Sequence, residues 1–217
     1  MSAFGGGSPL MLEPLINNSE PFKGVRRWFR TDLHSWRTTA GLVLTGATTP
    51  AIGNNTTAQD YINWVANSAT SVIAINQFTV PEDYAETEDD IGLEVVARLK
   101  GSDTTAAALS VMAYWFTPTR GSTTGGSAVT ALAAAATATL DTSATNANTV
   151  GYKKYQVDVG AVLRANSQRI HAGDVVKFTL GASVQLPSSN QALEVAGISY
   201  MLRCHAAGRD RSLRGNF

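Results

Sequence analysis

Six carboxylates fall within nine residues, at Glu82, Asp83, Glu86, Glu88, Asp89 and Asp90. Oxygen ligands at that density could hold calcium. The D-x-D-x-D-G spacing with a terminal glutamate is missing, however, and no glycine lies inside the run to make a tight ligand loop. Glycoside hydrolysis would need two buried carboxylates at a fixed separation, one with a raised pKa. Six crowded acids between Pro81 and Ile91 predict instead a solvated corner joining two strands. The three histidines, His34, His171 and His205, form no pair at metal-ligand spacing. Cys204 and His205, adjacent in a strand, point to opposite faces. No G-x-S-x-G, phosphate loop, dinucleotide fingerprint or H-E-x-x-H occurs. The sequence therefore assigns no catalytic, cofactor-binding or metal-binding residue, and the expected function is non-enzymatic.

A second constellation is basic and aromatic: Lys23, Arg26, Arg27, Arg30 and Arg37 interleave with Trp28, Phe29 and Trp36. Nucleic acid would be bound by such a set only if the rings were exposed for stacking. The formal net charge of zero counts against that. The expected arrangement has the rings packed inward and the arginines paired with acidic loops of a neighbouring subunit. A single cysteine excludes an intrachain disulfide. The N-terminus lacks the pattern of a signal peptide, and no apolar run reaches the ~18–20 residues of a membrane span, so a soluble protein made in the cytoplasm is expected.

The elements that carry these residues follow from composition and period. Charged residues make up only 16% of the chain, against a usual ~25%. A surface of small neutral residues suits burial against partner subunits. Residues 1–40 read as an extended arm, because Pro9, Pro14 and Pro21 block helix and central strand alike. Phe4, Leu10, Met11, Leu12, Leu15, Ile16 and Phe22 cannot bury themselves on such a segment. With Arg26, Arg27 and Trp28 they form the candidate subunit interface. Residues 41–206 read as a β-sandwich, and 207–217 as a basic tail.

Strands are expected at 71–80, 91–100, 108–117, 152–160, 174–184 and 192–202, each rich in β-branched or aromatic residues between turn formers. In the second of these, Ile91, Leu93, Val95, Ala97 and Leu99 alternate with Gly92, Glu94 and Arg98, the mark of one buried face. Segments 57–69 and 128–140 have helical alternatives and are read as strands. Strands without intervening helical periods favour a two-sheet antiparallel sandwich.

The stretches FTVPEDY, IGLEVVARL, LSVMAYWF, YQVDVG, HAGDVVKFTL and ISYMLR, in that order over residues 60–205, resemble the jelly-roll capsid decoration (cement) proteins of tailed bacteriophages. The resemblance implies an all-β jelly-roll sandwich, a homotrimer seated on the major capsid protein at the virion surface, and no cofactor. The alternative is a carbohydrate- or receptor-binding jelly roll of a phage fibre. That class needs exposed aromatic rings, and Tyr84, Tyr114, Trp115 and Tyr152 are the candidates.

Overall fold

The computed structural model describes residues 25–54, 59–65, 67–86, 90–100, 107–118, 128–141, 151–186 and 192–205. In chain order the strands are β1 (Val25–Thr31), β2 (Ala51–Asn54), β3 (Asp60–Trp64), β4 (Ile73–Thr79), β5 (Ile91–Lys100), β6 (Ala108–Phe116), β7 (Thr130–Ala131), β8 (Ala136–Thr139), β9 (Lys153–Asp158), β10 (Val175–Ala182) and β11 (Ala192–Cys204). One helix, α1 (Val159–Ala165), follows β9.

The strands form a jelly-roll-type sandwich of two antiparallel sheets. Sheet A runs β2-β3-β11-β5-β9, with β1 also paired to β11, and sheet B runs β4-β10-β6-β7, with β8 also paired to β6. Strand β11 is long enough to carry two neighbours end to end on one flank: β3 beside Leu193–Val195 and β1 beside Ile198–Cys204. Its other flank holds β5 through a bulge between Val195 and Gly197.

The period-two reading of β5 is realised. Leu93, Val95, Ala97 and Leu99 are buried between the sheets, beside Leu193, Val195, Val157, Phe178 and Leu180. Burying a Leu, Val or Phe stabilises by ~1.5–3 kcal/mol each, and this shared core fixes the register of both sheets. Phe78 and Tyr200 stack across it with ring centroids 4.1 Å apart. Segments 57–69 and 128–140 supply β3, β7 and β8, so the strand reading of both is the observed one.

Two boundaries differ from expectation. The arm does not extend to residue 40. All seven residues of β1 pair antiparallel with β11, Trp36 is fully buried in the core, and Arg37 exchanges both backbone hydrogen bonds with Ile75. No proline lies between Pro21 and Pro50, so nothing in 25–40 prevents pairing, and β11 offers an otherwise open flank. Residues 1–24, with Phe4, Leu10, Met11, Leu12, Leu15, Ile16 and Phe22, lie outside the described residues, as does 207–217. The strand expected over 152–160 stops at Asp158, whose side chain accepts a hydrogen bond from the Ala161 amide at 2.9 Å and caps α1. Val159 and Leu163 of that helix are buried in the core.

Candidate functional site

The acidic segment is a latch rather than a solvated corner. Asp90 is 5% exposed and accepts 2.8 Å hydrogen bonds from Arg26 Nε and Arg203 Nε. Burial alone would push its carboxyl up. The two guanidinium groups outweigh that and hold it below the ordinary value. Asp83 accepts a 2.7 Å hydrogen bond from Arg27, and Glu86 accepts one from the Ala172 amide at 2.9 Å. Glu88 and Asp89 lie outside the described residues. Among the described residues no group of three or more His, Cys, Asp or Glu could hold a metal ion.

Arg26 and Arg27 thus pair with acids of their own chain, where pairing with a neighbouring subunit was expected. The reason is register: β1 alongside the end of β11 sets both arginines near Asp83 and Asp90, and the neighbouring Ala85 amide bonds to Arg203 O. Trp28 keeps 45% of its surface and Phe29 38%. The expectation that the three rings pack inward holds for Trp36, which is in the core, and not for Trp28 and Phe29, which sit on a strand at the sheet margin.

The four candidate rings of the carbohydrate alternative separate. Tyr84 and Trp115 are buried. Tyr114 is half-buried on the outer face of sheet B with the Lys177 ammonium 4.8 Å from its ring centroid. Tyr152 is half-buried on the outer face of sheet A, and the residues around it form the most developed polar site among the described residues.

That site is a row across sheet A. Ala51 pairs with Asn63, Asn63 with Glu194, and Glu194 with Arg98. Tyr152 continues the row, since the next residue, Lys153, pairs with Ala97. The neighbouring inward row, Trp64, Leu193 and Leu99, is buried, so alternation turns Asn63, Glu194 and Arg98 outward. Glu194 lies on the solvent side of the sheet and is nevertheless 2% exposed. Its Oε2 accepts from Arg98 Nε at 2.7 Å and from the Tyr152 hydroxyl at 2.9 Å, and Lys100 Nζ stands 3.5 Å from Oε1. The carboxylate is a post on which Arg98 and Tyr152 are fixed. Arg98 also lies 4.5 Å from the Tyr152 ring centroid, a cation–π contact. Burial, and then the hydrogen bond to Glu194, push the Tyr152 phenol up to about 12. Beside this row the Tyr61 ring packs closely against Gly53: a Cβ there would meet ring carbons at 2.6 Å. Asn63 Oδ1 is buried with no hydrogen-bond partner, an acceptor left open within the row.

Tyr152 was legible as a candidate. Tyr61, Asn63, Arg98 and Glu194 were not, because only strand register brings them together. The one available signal was Glu194, a charge inside the apolar run of β11.

No protein-family model matches the chain, and no curated protein matches it. Among solved structures it is similar to the xylan-binding module CBM15, at 15% identity and a TM-score of 0.44, covering 84% of this chain and 99% of that one. It is similar to the family 30 carbohydrate-binding module of a cellulosomal cellulase of Clostridium thermocellum, at 9% identity and a TM-score of 0.41, covering 86% and 99%. It is also similar to the CBM22-1–GH10 modules of a xylanase of the same organism complexed with xylohexaose, at 9% identity and a TM-score of 0.41, covering 83% and 28%. These are likenesses of fold alone.

Proposed function

We propose that the chain is a non-catalytic binding module that takes a carbohydrate chain across the outer face of sheet A. The observation that carries this reading is the row Asn63–Glu194–Arg98–Tyr152 with the Tyr61 ring packed beside it on Gly53. A sugar offers an apolar ring face and a rim of hydroxyls. Aromatic faces bury the first, and fixed donors and acceptors orient the second. Arg98 supplies donors, and Glu194 holds it and Tyr152 in place without itself being exposed. With its oxygens committed to Arg98, Tyr152 and Lys100, Glu194 is a positioning group and not a proton donor.

The test is affinity electrophoresis against a panel of soluble polysaccharides, with Tyr61→Ala and Gly53→Ala as variants. At least one polysaccharide should retard the native protein. Both variants should weaken retention about tenfold, ~1.4 kcal/mol, with an unchanged circular dichroism spectrum. Retention equal to the parent in both variants, or no retention by any polysaccharide, would overturn the reading.

A second reading is capsid decoration: a homotrimer on the major capsid protein of a phage head. It is favoured by the exposed Val25, Trp28 and Phe29 of β1, three large apolar side chains in one edge strand. Removing residues 2–22 should then abolish binding to capsid shells while leaving the sandwich folded. Undiminished decoration, or a strictly monomeric mass at micromolar concentration, would count against it.

A further inference from the structure

Strand β1 has one flank engaged and one that is free among the described residues, and the backbone directions can be worked out residue by residue. In β11 the Arg203 amide donates to Asp90 O and its carbonyl accepts from the Ala85 amide, both on the β5 side. Alternation then directs Ile198, Tyr200, Leu202 and Cys204 toward β1. Their partners there are Thr31, Phe29, Arg27 and Val25. Arg26, Trp28 and Arg30 consequently aim their N–H and C=O groups away from the sheet. No described strand pairs with that flank. Exposed edges of this kind are usually blunted by charged side chains, proline, a bulge or short length. This one runs seven residues with only its arginines to do so, and an acidic partner would turn that guard into an attraction.

Its side chains state what would fit. Arg26, Trp28 and Arg30 share one face. Arg26 is paired with Asp90, and Arg30 is exposed. On the other face Val25 is 53% and Phe29 38% exposed. A second copy of β1, centred antiparallel on Trp28, would set Arg26 against Arg30 twice, and like charges directly opposite destabilise a pair. Self-pairing is therefore disfavoured.

We propose that β1 is a strand-addition site for an extended segment of a partner protein that alternates acidic with apolar residues. Its acids would lie opposite Arg26, Trp28 and Arg30, its apolar residues against Val25 and Phe29. Main-chain bonds to Arg26, Trp28 and Arg30 supply affinity, and the alternation supplies specificity. The site lies on the end of β11 away from the Glu194 row and is independent of the ligand that row takes.

The probe is a short synthetic peptide alternating glutamate with valine, titrated to ~1 mM against the full chain, with a lysine–valine peptide as the contrast. The glutamate peptide should bind at least tenfold tighter than the lysine one and slow amide exchange at Trp28 and Arg30. Arg30→Glu should reverse the preference. Trp28→Pro removes an outward-facing N–H, which an edge strand tolerates, together with the indole, and should abolish binding with the melting temperature kept, whereas Trp28→Ala, which keeps the N–H, should still bind the glutamate peptide. If the Trp28→Pro chain melts early, Arg30→Glu alone decides. Equal affinity for the two peptides, binding without protection of those amides, or no binding at ~1 mM would overturn the proposal. None of these outcomes bears on polysaccharide retention.

Discussion

Replacing Asp90 by asparagine removes the charge that ties β1 and β11 to the acidic loop while keeping the shape of the side chain. Asp90 receives hydrogen bonds from two guanidinium groups at 2.8 Å. Each charge-assisted bond contributes ~1.5–3 kcal/mol and a neutral one ~1 kcal/mol. Asparagine keeps one neutral acceptor, which leaves roughly 2–5 kcal/mol at risk. Arg26 is 43% exposed and regains water when released, whereas Arg203 is 18% exposed. Weighting the first pair down for screening gives a loss of about 2 kcal/mol, or a melting temperature about 4–8 °C lower for a chain of this size. The pH dependence has a definite sign. The folded carboxyl is held below its ordinary value, so its contribution is complete above the unfolded pKa of ~3.9 and is lost as pH falls through the folded one. Urea unfolding at neutral pH should therefore separate the parent from Asp90→Asn, and the gap should narrow as the pH falls below the unfolded value of ~3.9. A gap under ~0.5 kcal/mol at neutral pH, or one that persists unchanged in acid, would refute the latch.

Two further outcomes follow from backbone packing and burial. Gly92→Ala should cost ~3 kcal/mol, because a Cβ there would run into the Val157 carbonyl oxygen of β9; an unchanged urea midpoint would be inconsistent with that close approach. Burial, and then the nearby Asp83 carboxylate, push the Cys204 thiol up to about 11, so a disulfide reagent at about pH 8 should leave it untouched in the native protein and titrate one thiol per chain after denaturation; rapid native reaction would contradict its burial.

Most of the strand inventory could be read from period and turn formers. β5 alternates so regularly, Val96 apart, that one buried face was evident, and β6, β10 and β11 were legible as strands from β-branched and aromatic residues between turn formers. What could not be read is pairing. Residues 25–40 carry arginines and two exposed rings, which looks like an arm when no partner strand is visible. The matching flank of β11 lies about 170 positions away along the chain. The same separation hid the destination of the acidic loop: Asp90 finds Arg26 and Arg203 only once β1, β5 and β11 are side by side. The Glu194 row is the same case, because its members come from five strands or their margins and no local spacing connects them.

The pairing of Val25 with Cys204 has a mechanical consequence. Both described ends of the sandwich leave from the same end of the β1–β11 ladder. Tension between the residues before Val25 and those after His205 would open that ladder pair by pair, as a zip, instead of shearing all its bonds together. Arg26–Asp90 and Arg27–Asp83 stand at the first teeth and would set the force at which opening starts. Once they yield, the seven residues of β1 pay out at most ~3.3–3.6 Å each, roughly 24 Å of slack, before load reaches Trp36 in the core. A protein tethered by both ends would give way there first, with its two sheets still packed.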